Sequence, residues 1–334
     1  MNSDEFLSAS ELLLQFIVKY RDAAFTREFP VLPNKEIIKP NYLKSLLPNK
    51  APEDKESFDE IFQDIKDKIM PGVACPSCTE LEVITLDWLV HAFGLPEKFL
   101  SSSSMNDSLH KGGGVIEAHS SVTRAFNLAM LKCHVIPTKW IGKKLVFDPK
   151  DLDTAIENDK SNGLIPVMCV ATMGTTSTCE FEDLYGIGNI CKKFNIWFHV
   201  NAAYAGSALL CPEFRHLGKG IELADSVNIN AHKLLLVNFD CSLLWLADHT
   251  VISNAFQTNP LYLHHTFEGM PEYRNWGISL GRRFRALKLW FVLRLYGLKN
   301  IRNLLLTVSL KKCYVTVQKQ SGITSRTNDS NIQR

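Results

Sequence analysis

Lys233 is the residue in this chain best placed to do covalent chemistry. It sits where an apolar run ends, after ADSVNINAH and before LLLVNFD. An ammonium with apolar flanks in a crevice has its pKa lowered by desolvation. The free amine so released can condense with an aldehyde. The plain alternative is a strand-end lysine reaching solvent, and spacing alone leaves both readings open. Other polar residues gather at the ends of neighbouring apolar runs: Thr176 after LIPVMCVATMGT, Asn201 after NIWFHV, and Asn230 and His232 just before the lysine. Cys75 and Cys78 form a CxxC with no second pair at zinc spacing. His264-His265 lacks a third ligand at a recognisable spacing, so no metal site is expected.

The elements that position these residues follow from periodicity. Short apolar runs alternate with helical stretches from Gly163 to Asp248. That alternation predicts an α/β fold with a mainly parallel sheet flanked by helices. Ligands in such sheets sit at the carboxyl ends of the strands, where Thr176, Asn201, Asn230, His232 and Lys233 collect. Residues 4–20 carry an apolar stripe at helical spacing, and 55–69 and 79–93 also read as helices. Residues 30–53 hold five prolines and read as an extended arm. SSSSMNDSLHKGGG at 101–114 reads as a loop. Arg282, Arg283, Arg285 and Lys288, interleaved with Leu287, Trp290 and Phe291, read as the solvated face of a packed helix.

Bulk composition excludes several classes. The chain has 334 residues, 46% hydrophobic and 22% charged, enough to bury a large core. A net charge of +2 supplies no field for nucleic acid or an anionic membrane. The start, MNSDEFLSASELLLQF, lacks a basic region and a cleavage site, and no apolar run has membrane-spanning length. Nine cysteines scattered in apolar segments suit reduced thiols and a cytoplasmic location.

The wording around Lys233 is more specific than its spacing. HVNAAYAGSALLCPEFRHL followed by NINAHKLLLVNFDCS resembles the core signature of the group II pyridoxal-phosphate (PLP) decarboxylases. TELEVITLDWL, GGGVI, AHSSV, VATMGTTS, NPLYLHH and LGRRFRALKLWFVLRLYG match the same family in the same order. The match touches most of residues 1–300 and is nearest the aromatic-L-amino-acid decarboxylases. The resemblance implies a fold-type I enzyme, a homodimer with active sites at the subunit boundary, and PLP as cofactor. It makes Lys233 the Schiff-base lysine and His119 the histidine stacked on the cofactor ring. Asn201 takes the position of the aspartate that pairs with the pyridine nitrogen. Ala203 lies under the ring, Thr176, Asn230 and His232 line the cofactor, and Tyr262 is the mobile-loop proton donor. The implied reaction converts aromatic amino acids such as DOPA or 5-hydroxytryptophan to amines and carbon dioxide. The implied organisation is an N-terminal helical arm over 1–73, a large PLP-binding domain over 74–300, and a divergent, poorly ordered tail over 301–334.

Four departures from the family's pattern bear on activity. Asn201 is neutral and cannot form the charge-assisted bond of an aspartate. Losing such a partner in a dry site costs on the order of 10²- to 10⁴-fold in rate. MPGV runs directly into ACPSCTELE, without the residues that normally carry substrate-embracing aromatics. GGGVIEAHSSV joins two motifs and omits the phosphate-cup serine segment between them, leaving Ser120 and Ser121 as substitutes beside Glu117. After Asn300 the similarity fades, so the small C-terminal domain is expected to be largely absent. The competing expectation is an inactive paralogue or splice product that partners a full-length subunit or has no function.

Overall fold

The computed structural model describes residues 3–26, 39, 41–72, 76–101, 111–117, 122–141, 144–176, 179–257, 271–279 and 281–309. Among them the first α-helices are α1 (Ser3–Thr26), α2 (Tyr42–Leu46), α3 (Phe58–Asp64), α4 (Ser77–Phe93) and α5 (Val122–Leu128). The later ones are α6 (Pro149–Ser161), α7 (Leu184–Phe194), α8 (Ala231–Leu234), α9 (Thr250–Phe256) and α10 (Arg285–Leu304). The strands are β1 (Gly113–Glu117), β2 (Lys139–Ile141), β3 (Lys144–Val146), β4 (Met168–Thr172), β5 (Trp197–Asn201), β6 (Ser226–Asn230) and β7 (Ser242–Leu246). The chain divides into two compact units. One comprises Met1–Leu89, Leu100–Ile116 and Asp248–Leu298; the other comprises Val90–Phe99, Glu117–Ala247 and Lys299–Arg334.

Buried carboxylates organise the first unit. Leu81, Leu86, Trp88 and Leu89 of α4 are buried, yet so are Glu80 and Glu82. Glu80 accepts the backbone N–H groups of Asn41 (2.6 Å) and Leu43 (2.8 Å), which would otherwise be orphaned at the start of α2. This cap makes a short helix of part of the proline-rich 30–53 stretch, where an extended arm was expected. Glu82 accepts the N–H of Ile116 (2.7 Å) and the guanidinium of Arg282 (2.8 Å). Arg282 also donates to the Ile116 carbonyl and lies over the Tyr273 ring. It therefore anchors the unit's interior and is not part of a solvated face; helix α10 begins only at Arg285. Arg294, from the same basic stretch, is buried between Glu56 and Asp64. The 79–93 helix expected from periodicity is α4, and 55–69 is helical from Phe58, started by a Ser57–Glu60 capping box.

The second unit carries the sheet. Strands β4, β5 and β6 are parallel neighbours, and β7 joins β6 antiparallel. Register sets Thr172 beside Asn201, Asn201 beside Asn228, and Asn230 beside Ser242. Because side chains alternate along a strand, one face is apolar and presents Ala171, Phe198, Val200, Val227, Ile229, Leu243 and Trp245, all buried. Helix α7 covers this face with Leu184, Ile187 and Cys191, started by Asp183 and ended at Asn195 in the left-handed conformation. The opposite face carries the polar residues His199, Asn201, Ser226, Asn228, Asn230 and Ser242, with Met168, Val170, Trp197, Leu244 and Leu246 toward its edges. The fold is α/β as expected. Strand β7 departs from the parallel order: residues 231–241 bring the chain back beside β6 in the antiparallel direction.

Candidate functional site

The carboxyl ends of β4, β5 and β6 open on one cavity of about 1000 Å³. Each strand turns sharply there. After β4, Gly174 adopts φ +76°, and a Cβ on it would lie 2.2 Å from the Ala205 Cβ, so only glycine fits. The Thr175 N–H donates to the Glu180 carbonyl (3.0 Å) and the Glu180 N–H donates to the Thr175 side-chain hydroxyl (3.0 Å), and Thr176 lies on the cavity wall. Cys179 in this turn is disulfide-bonded, which corrects the expectation of reduced thiols throughout; Cys78, Cys133, Cys169, Cys191, Cys211 and Cys241 are free. After β5, the Asn201 side-chain oxygen accepts the N–H of Ala203 (3.2 Å), holding the chain where both residues line the cavity. After β6, the N–H of Asn230 donates to the Ala203 carbonyl (3.1 Å). The single turn of α8 then carries Lys233 into the same cavity.

Thr176, Asn201, Ala203 and Lys233 are thus brought together as their strand-end positions suggested. Lys233 is half-buried, and burial lowers its pKa. Its ammonium has no hydrogen-bond or ion-pair partner among the described residues. Asn230 and His232 do not line the cavity. Asn230 is buried and accepts from Ser242 (2.7 Å) and Asn228 (3.2 Å) in the polar layer of the sheet. The His232 ring lies edge-on to Phe239, with Nδ1 at 2.9 Å from the Cys241 carbonyl. His119 and Tyr262 lie outside the described residues, as do Cys75 of the CxxC and the His264-His265 pair. Among the described residues no cluster of His, Cys, Asp or Glu is arranged for a metal ion, and no helix is long and apolar enough to cross a membrane.

Two groups went unforeseen. Glu182 lines the cavity, accepts the Thr172 N–H (2.9 Å), and has its pKa raised by burial. A bridge between Met173 and Phe181 folds it back beside β4, and such a return has no periodic signature. His199 is the second. Ser226 takes the Trp197 indole N–H (2.9 Å) and lies 2.8 Å from His199 Nδ1, while burial lowers that imidazole's pKa to about 4. The period-two pattern Trp197, His199, Asn201 was the available signal.

A half-buried lysine with no partner among the described residues shares a cavity with Thr176, Asn201 and Ala203 at the carboxyl ends of parallel strands, an arrangement in which an amine could meet a carbonyl group. Residues 116–327 match the pyridoxal-dependent decarboxylase conserved domain, and the chain belongs to that family. It is a fold-type I, PLP-dependent decarboxylase by family. It is 39% identical over 386 aligned positions to the aromatic-L-amino-acid decarboxylase of Drosophila melanogaster, with 90% of this chain and 73% of the relative covered. The Sus scrofa aromatic-L-amino-acid decarboxylase is 36% identical, covered to 90% and 77%. The structure of Catharanthus roseus tryptophan decarboxylase in complex with L-tryptophan superposes with a TM-score of 0.64 at 28% identity, over 96% of this chain and 81% of that one. An alignment of 386 positions is longer than the 334-residue chain. The relatives therefore carry internal residues that have no counterpart here.

The cavity fits the ring end of PLP. Lys233 would supply the amine, Ala203 a small side chain that would leave room for a flat ring, and Asn201 a polar group at the end of β5. The phosphate end is expected at Ser120 and Ser121, outside the described residues.

Proposed function

We propose that this chain is a carboxy-lyase for aromatic L-amino acids, DOPA and 5-hydroxytryptophan being the expected substrates, with turnover lowered by Asn201. The observation that carries the proposal is the half-buried Lys233, without a partner among the described residues, in one cavity with Thr176, Asn201 and Ala203. When bound, PLP supplies the electron sink for the charge left by departing carbon dioxide. The protein's own residues do the rest. Desolvation leaves the Lys233 amine free at lower pH than a surface lysine, ready to bind the aldehyde. Ala203 leaves room for the ring, and Thr176 holds its edge. By the family resemblance His119 packs on the open face, and Tyr262 delivers a proton while its loop excludes water. Dimerisation and a cytoplasmic location belong to the same proposal.

A second reading, a non-catalytic partner of a full-length subunit, is favoured by the internal residues this chain lacks. One experiment separates the two. The purified chain is incubated with PLP, reduced with borohydride and mapped by peptide mass spectrometry. The carboxy-lyase reading expects the label on Lys233, with carbon dioxide released from DOPA. Label spread over surface lysines, together with a complex on size exclusion with a full-length relative, supports the partner reading.

A further inference from the structure

We propose that Asn201 reverses the polarity of the hydrogen bond at the cofactor's ring nitrogen, so that this chain holds the pyridine unprotonated. The inference rests on the proposed function, in which the end of β5 faces the ring. Its physical basis is the orientation of one amide. The Asn201 oxygen is committed to the Ala203 N–H at 3.2 Å. Turning the amide over would set an NH₂ against that N–H, so the orientation is fixed by the turn. The Asn201 NH₂ is therefore what remains for the cavity, and it has no partner among the described residues. A donor can pair only with a lone pair. A protonated pyridine would bring N–H against N–H, whereas a neutral pyridine offers an acceptor.

The neighbours do not restore a charge at this point. Asn228, beside Asn201 in register, spends its own NH₂ on Asn230 and Ser242. Thr172 on the other side is neutral. His199, two residues back on the same face, is held uncharged because burial depresses its pKa. The remaining titratable groups of the cavity include Lys132, His134, Asp159, Glu182 and Lys233. Asp159 is engaged by His134 at 2.9 Å. Glu182 meets Thr172 through that residue's backbone N–H, on the edge of β4 away from β5, and burial favours its neutral form. Among the described residues no carboxylate thus stands where an aspartate at position 201 would place one.

The test uses the full chain loaded with PLP labelled with nitrogen-15 in the ring, alongside the variant Asn201→Asp. In the wild-type chain the ring nitrogen is expected to resonate as an unprotonated pyridine from about pH 6 to 8. In Asn201→Asp it shifts to the protonated position. A second measurement needs no folded variant. The wild-type chain should bind PLP at least roughly tenfold more tightly than N-methyl-pyridoxal phosphate, whose ring nitrogen is a fixed cation without a lone pair; tenfold corresponds to about 1.4 kcal/mol. A protonated resonance in the wild-type chain, or equal binding of the two cofactors, overturns the inference. If borohydride shows PLP on Lys233 while the resonance ignores residue 201, this inference fails and the proposed function stands. If no label reaches Lys233, both fall together.

Discussion

Replacing Gly174 with alanine tests the turn that sets the cavity rim. Two terms act at this position. Gly174 has φ +76°, where a Cβ costs roughly 1–2 kcal/mol. The added methyl would also lie 2.2 Å from the Ala205 Cβ, against an ordinary contact of 3.4 Å or more. Ala205 is fully buried and opens the helical turn after β5, so it has to move by about 1 Å and carry its packing with it. Forcing extra volume into a packed core costs about 1–3 kcal/mol. The expected total is about 2–5 kcal/mol. Gly163→Ala is the control, because Gly163 shares φ +76° but has nothing within 4 Å of its would-be Cβ. It should lose the conformational term alone, about 1–2 kcal/mol. Equilibrium urea unfolding of the three proteins reads both numbers. Since displacement of Ala205 disturbs the Asn201–Ala203 turn, Gly174→Ala should also weaken PLP binding, and Gly163→Ala should not. Equal destabilisation by the two substitutions would show that the turn after β4 does not press on Ala205, and the rim described above would be wrong.

Asn201→Asp should raise DOPA decarboxylation by a factor of roughly 10² if the ring-nitrogen partner limits the rate; carbon dioxide release from PLP-loaded protein measures this, and an unchanged rate would place the limitation elsewhere. Asp87 gives a pH prediction for the first unit: it accepts the Ser101 N–H at 2.9 Å, and burial raises its carboxyl from the usual 3.8 to about 6. A raised carboxyl pKa means the folded chain holds a proton the unfolded chain releases, so this stability is present below about pH 4 and is lost as pH rises through about 6. Allowing for partial solvent screening, the contribution is about 2 kcal/mol. Asp87→Asn should therefore be more stable than the wild type at pH 7.5 and equal to it at pH 4 in urea unfolding, and parallel pH profiles would count against the assignment.

The strand ends were legible because each apolar run stops at a small or polar residue. That pattern marked Thr176, Asn201 and Lys233 before any coordinates, and all three line the cavity. It could not separate them from Asn230 and His232, which end the same run. Asn230 is the last residue of β6, opposite Ser242 of β7, and the antiparallel partner draws its side chain into the polar layer. Seeing this requires the direction of β7, which its apolar pattern does not encode. Arg282 was misread for a related reason. Periodicity identifies a basic stripe, but a carboxylate 200 residues away decides whether one member of it turns inward, and Glu82 does so here. Glu182 needed the Met173–Phe181 bridge. In each case the missing information was a long-range partner.

The losses inside the aligned span bear on what the cavity can do. At about 1000 Å³ it stands at the upper end of the usual volume for a small-ligand site. Leu131, Val135, Ile165, Val167 and Met168 line it and are still substantially exposed, Ile165 at 84% and Val135 at 75%. Apolar side chains left in water forgo roughly 25 cal/mol for each Å² they might have buried. A cavity with an exposed apolar wall also gives up part of the low dielectric that makes a fixed donor or charge effective on a bound ring. The electrostatic effect of residue 201 should therefore be smaller here than in a closed site. Even an aspartate there would act partly through water. For this reason Asn201→Asp alone is expected to improve turnover without bringing it to the level of the intact relatives; full recovery would show that the exposed apolar wall is covered in the working enzyme.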